Sequence, residues 1–119
     1  MGTYVITGGA SGIGAAISQQ LQSEGHQVLV IDIQQADIVA DLATPAGRCA
    51  AVDAVREATG GALNGLVACA GIGSHIPNRQ LITAVNYFGA VELVEGLRQT
   101  LADNRAPVLL VSSCLLYTS

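Results

Sequence analysis

The residues best placed to do chemistry lie near the start of the chain, in Thr7-Gly8-Gly9-Ala10-Ser11-Gly12-Ile13-Gly14. β-Branched residues precede the run and helical periodicity follows it, the context in which a glycine-rich segment can cradle phosphate. Gly8 permits a sharp turn, Gly12 lets backbone N–H groups approach a pyrophosphate, and Gly14 lets the next helix pack close to the sheet. The helix N-terminus adds unpaired N–H donors and the positive end of its dipole. Gly9, Ala10, Ser11 and Ile13 complete this candidate cofactor-binding segment. Asp32 ends the next apolar run, close to the spacing of about 20 residues at which a carboxylate meets an adenosine ribose. It would accept hydrogen bonds from the ribose and repel a 2′-phosphate. NAD(H) is therefore preferred over NADP(H), and the glycine segment contains no Arg or Lys to argue otherwise.

The elements that must position these residues alternate in type. Thr3 to Thr7, Val28 to Ile31, Ile38 to Ala40, Leu66 to Ala70 and Val108 to Val111 are short β-rich runs. Between them, Ile13, Ile17 and Leu21 line one face of a first helix that stops at Gly25. Thr44-Pro45 reads as an N-cap and first helical residue, opening a helix to Thr59 with Val52 and Val55 inward and Gly60-Gly61 behind it. A longer helix is predicted from about Gln80 to Asp103, with Val85, Phe88, Leu93, Leu97 and Leu101 facing the core. This is the pattern of a Rossmann-type α/β fold: a doubly wound parallel sheet, strand order 3-2-1-4-5, truncated after the fifth strand.

Composition fits one domain, with 119 residues of which 50% are hydrophobic and 12% charged. That balance excludes intrinsic disorder, and no apolar run reaches the roughly 18 residues of a membrane span. A net charge of -4 argues against nucleic acid as a partner. All five cations are arginines, so the chain holds no lysine. Cys49, Cys69 and Cys114 are too scattered for a disulfide framework or zinc site and read as small buried apolar residues of a reducing compartment. No basic-then-apolar leader follows Met1, and a cytoplasmic location is expected. His26 reads as a solvated turn residue and His75 as a loop residue.

Taken together, Thr7, Gly8, Gly12 and Gly14 match Thr-Gly-x-x-x-Gly-x-Gly, and the sequence resembles the short-chain dehydrogenases/reductases. Within them it is most similar to the 3α-hydroxysteroid dehydrogenase/carbonyl reductase type, through Gly25-His26-Gln27, Ile31-Asp32-Ile33, Ala40-Asp41-Leu42, Cys69-Ala70-Gly71 and Val85-Asn86-Tyr87-Phe88-Gly89-Ala90. The resemblance implies that Asp41 and Leu42 hold the adenine ring and that Gly71 passes close to the nicotinamide-side ribose. It also implies hydride transfer between NAD and a secondary alcohol or ketone, a 3α-hydroxysteroid among the candidates, with Asn86 holding a proton-relay water. Ser113 would orient the substrate oxygen, with Ser112 as the alternative. The resemblance further implies a homo-oligomer as the full-length form.

The family's Tyr-x-x-x-Lys pair is missing, since Tyr117 is followed by two residues and no lysine exists to complete it. Nothing then lowers a tyrosine pKa of about 10 towards neutrality, and the chain as it stands is expected to be inactive. The resemblance covers less than half of a typical member. Residues 1–113 read as the incomplete NAD-binding part. Residues 114–119, Cys-Leu-Leu-Tyr-Thr-Ser, match one reading frame of a sequencing-library adapter, TGTCTCTTATACACATCT, and are expected to be a non-native tail. The alternative is a short non-catalytic NAD-binding sensor or interaction module, against which stands the bare apolar edge that its fifth strand would present.

Overall fold

The computed structural model describes residues 2–9, 12–69 and 84–111. Strand β1 (Thr3–Thr7) leads into helix α1 (Gly12–Ser23), and β2 (Gln27–Asp32) and the short β3 (Ile38–Val39) follow. Helix α2 (Pro45–Thr59) then precedes β4 (Gly65–Ala68). After a π-helical turn at Ala84–Phe88 come α3 (Gly89–Gly96), α4 (Arg98–Asp103) and β5 (Val108–Leu110). The five strands form one sheet in the order β3-β2-β1-β4-β5, every adjacent pair parallel, as the alternating pattern predicts.

A parallel sheet needs both faces covered, and the strands divide their side chains accordingly. Val5 of β1, Ile31 of β2 and Leu66 of β4 turn to one face, where they meet Val52 and Val55 of α2 and Leu93 of α3. Their neighbours Ile6, Val28 and Val67 turn to the other face, where Ile17 and Leu21 of α1 pack. The period of two thus splits each apolar run between two cores.

Helix α2 begins and ends where its sequence signals lie. The Thr44 hydroxyl accepts a hydrogen bond from the Gly47 N–H at 3.0 Å, and Pro45 fills the first turn. At the other end Gly60 adopts φ 60° and donates to the Arg56 carbonyl at 3.0 Å. Gly25, at φ 89°, similarly follows α1.

The long helix expected to end at Asp103 is interrupted. Leu97, at φ -103° and ψ 8°, separates α3 from α4, although its N–H still reaches the Leu93 carbonyl at 3.0 Å. The break falls where the helix packs against α2: a Cβ at Gly96 would lie 2.6 Å from Val52 Cγ2, and the Gly96 carbonyl accepts a hydrogen bond from Arg56. Phe88, expected on the inward stripe, is 44% exposed. The stripe of Leu101, Leu97 and Leu93 reaches Gly89 at its next step of four, which leaves Phe88, one residue earlier, off it. Ile13, expected to continue the Ile17 and Leu21 face, is 64% exposed.

Candidate functional site

The C-terminal ends of β2, β1 and β4 lie side by side, with Thr7 in register with Ile31 on one side and Ala68 on the other. Chain order reverses between β1 and β4, and open α/β sheets bind ligands in the crevice at such a reversal. Thr7 ties the edge together. It is buried, its carbonyl and hydroxyl both accept from the Cys69 N–H at 3.1 Å, and so the ends of β1 and β4 cannot part.

The glycine turn leaves β1 at this edge. Gly8, at φ 70°, donates its N–H to the Ile31 carbonyl at 2.8 Å, which seats the turn beside Asp32. A Cβ at Gly9 would lie 2.9 Å from Val30 Cγ1, so Gly9 is the glycine that packs onto the sheet. Gly14 answers a different demand from the expected one. A Cβ there would meet the Gly8 carbonyl oxygen at 2.2 Å, so the close approach is between helix and turn and not between helix and sheet. Gly12, at φ 62°, has no described atom beyond its chain neighbours and its own helix within 4 Å of a Cβ position, and this open space lies at the N-terminus of α1. Exposed Ile13 borders the same space in sequence, whereas Ala10 and Ser11 lie outside the described residues.

Asp32 ends β2 half-buried, with Oδ1 accepting from the Ile33 N–H at 2.7 Å. Its carbonyl accepts from Ala40 at 3.0 Å, which brings the segment after β3 alongside. There Asp41 is exposed, and its Oδ1 accepts from the Ala43 N–H at 2.9 Å, shaping a tight turn. Leu42 is 5% exposed, so its side chain belongs to the core and only its backbone can face a ligand. The structure therefore gathers the glycine turn, Asp32 and Asp41 around one edge. Asn86 lies in the π-helical turn leading to α3, and its side chain is outside what is described. Gly71, Ser112 and Ser113 lie outside the described residues.

Two further residues lie near this edge, Cys69, read from the sequence as a small buried apolar residue, and Arg48, given no role there. Cys69 directly follows β4, where burial pushes its thiol pKa up, which disfavours the thiolate. Arg48, in the first turn of α2, is 6% exposed. Its Nη1 donates to the Leu42 carbonyl at 2.9 Å, its Nε pairs with Glu92 of α3, and its Cζ lies 5.9 Å from the centre of the Phe88 ring. The available signal was its helical spacing from Val52 and Val55, which puts a cation on the inward face.

Comparison with known proteins bears on this arrangement. The chain is 40% identical over 113 residues to 3-alpha-hydroxysteroid dehydrogenase/carbonyl reductase of Comamonas testosteroni, covering 95% of this chain and 44% of that protein. The chain thus spans less than half the length of this curated relative. Among solved structures, 3-alpha-hydroxysteroid dehydrogenase from Pseudomonas sp. B-0831, complexed with NADH, superposes with a TM-score of 0.91 at 49% identity, over 94% of this chain and 44% of that one. An oxidoreductase of the short chain dehydrogenase/reductase type from Brucella ovis gives a TM-score of 0.84 at 27% identity, over 96% of this chain and 62% of its own. The family model described as short chain dehydrogenase matches residues 3–115, and the chain belongs to that family.

Proposed function

We propose that this chain is the NAD-binding part of an oxidoreductase that interconverts a secondary alcohol and a ketone. The observation that carries the reading is the glycine turn. Gly12 leaves open space at the start of α1, where N–H donors and the helix dipole favour a pyrophosphate, while Asp32 stands at the neighbouring strand end. Residues present thus fit a dinucleotide. The NADH complex of the Pseudomonas relative supports the same assignment.

In this reading the glycine segment from Gly8 to Gly14 holds the pyrophosphate and Asp32 the adenosine ribose. Asp41 and the Leu42 backbone flank the adenine, and Gly71 passes the second ribose. NAD supplies the hydride acceptor when bound. Asn86 holds a relay water, and Ser113 orients the substrate oxygen. A tyrosine and lysine acting as acid/base pair are contributed by sequence beyond Ser113 of the complete gene product, with residues 114–119 foreign to it. The substrate is a small alcohol or ketone, and likeness to two hydroxysteroid dehydrogenases supports a steroid. The full-length enzyme acts in the cytoplasm as a homo-oligomer, without nucleic acid or membrane.

Titration of the chain with NADH and NADPH tests this. NADH binds, more weakly than micromolar because the nicotinamide half of the site is incomplete, and NADPH binds less well still. Asp32→Ala reduces NADH affinity and abolishes the preference. No binding of either nucleotide, or a preference for NADPH, overturns the cofactor assignment.

A further inference from the structure

Arg48 joins three segments that are far apart in sequence. Its guanidinium reaches the Leu42 carbonyl in the segment after β3, the Glu92 carboxylate on α3 and the ring of Phe88 in the π-helical turn. The first segment carries Asp41, and the π-helical turn carries Asn86. One side chain, from a residue 6% exposed, therefore bonds to the backbone beside the proposed adenine site and to α3, the helix that follows the turn containing Asn86.

Stability alone does not account for an arginine here. A cation in the first turn of a helix opposes the helix dipole, and an ion pair whose carboxylate is 43% exposed contributes little. Helices α2 and α3 already have apolar contact through Val52, Val55 and Leu93. What a guanidinium adds is a fork of fixed geometry that can hold a carbonyl and a carboxylate at once.

We propose that Arg48 is a positioning residue that couples the adenine end of the cleft to α3 and the π-helical turn before it, which contains Asn86. The proposal rests on the dinucleotide reading given above. Glu92 is the informative partner, because the observed geometry connects it to the Leu42 segment through Arg48. Loss of its charge releases the guanidinium, and adenine affinity falls at a distance.

The test is an NMR titration of the full 119-residue chain with NADH, using wild type, Arg48→Lys, Glu92→Gln, the double variant and Asp32→Ala. Thermal melts of each accompany it. Lysine can satisfy one partner and not both, so Arg48→Lys and Glu92→Gln each weaken NADH by about fivefold or more, the low end of ordinary coupling between sites. The double variant is then no weaker than Arg48→Lys alone. Should Arg48→Lys fail to fold, Glu92→Gln, at a half-exposed position, carries the test by its own loss of affinity. If Asp32→Ala weakens binding while Arg48→Lys and Glu92→Gln bind as wild type, or their effects add, the coupling is overturned and the cofactor reading stands. If wild type binds no NADH, the cofactor reading falls and the coupling with it.

Discussion

A methyl group added at Gly14 would lie 2.2 Å from the Gly8 carbonyl oxygen, whereas one added at Gly12 would meet nothing within 4 Å among the described residues beyond its own helix and chain neighbours. Gly8 cannot yield easily, because its N–H is bonded to Ile31 at 2.8 Å. Gly14→Ala should therefore lower stability by about 2 kcal/mol, as overpacking against fixed atoms does, and distort the turn. Gly12→Ala should cost only about 1 kcal/mol, the penalty for a left-handed conformation, yet its methyl fills the space proposed for a phosphate. Thermal melts and NADH titration of the two variants separate these roles: Gly14→Ala loses stability first, Gly12→Ala loses binding first. Equal melting points would count against the packing argument. The spacing of these glycines was legible because a phosphate-binding turn is a local structure. Which atoms Gly14 must clear was not, since that depends on how the turn folds back on the helix. Arg48 was less legible still, because Glu92 and Leu42 flank it from separate parts of the chain.

The same division between local and distant causes governs the elements. Both ends of α2 could be read from Thr44-Pro45 and Gly60 because caps act over a few residues. The interruption at Leu97 could not, for it arises where α3 presses on α2 through Gly96 and Val52. Two opposing terms meet at Gly96→Ala. Replacing glycine in a helix gains about 1 kcal/mol of propensity. Against this, the new methyl would stand 2.6 Å from Cγ2, 3.0 Å from Cγ1 and 3.3 Å from Cβ of Val52, so no rotation of the valine removes the conflict. Overpacking of this kind costs about 1–3 kcal/mol, and the net effect should be a destabilisation of about 1 kcal/mol. Chemical denaturation measures it. Adding Val52→Ala should restore the propensity gain, so Gly96→Ala becomes stabilising in that background; a loss of stability there would mean that the helix contact is not the cause.

At the scale of the molecule, the parallel sheet followed from the alternation of β and helical runs. The bare apolar edge expected of a fifth strand without further sheet is present, though its degree of exposure could be read only from the structure. All four residues of β4 are buried, while Val108, Leu109 and Leu110 of neighbouring β5 are 39%, 53% and 63% exposed. β5 stands at the end of the sheet order, so among the described residues its outer side has no strand partner. An apolar edge with unpaired backbone groups is a template for another chain, and no charged residue interrupts these three positions. The modest net charge of -4 offers little long-range repulsion against such pairing. The 119-residue chain should therefore associate as its concentration rises, and Leu110→Lys should suppress this by placing a charge on the most exposed edge residue. Because that side chain is exposed, folding stability should change by no more than about 0.5 kcal/mol. Sedimentation velocity across a concentration series distinguishes the cause. A shift towards monomer in Leu110→Lys at unchanged melting temperature assigns association to the edge strand. Unchanged association would place it elsewhere, with the exposed Tyr87 and Val91 around α3 as the next apolar surface to charge.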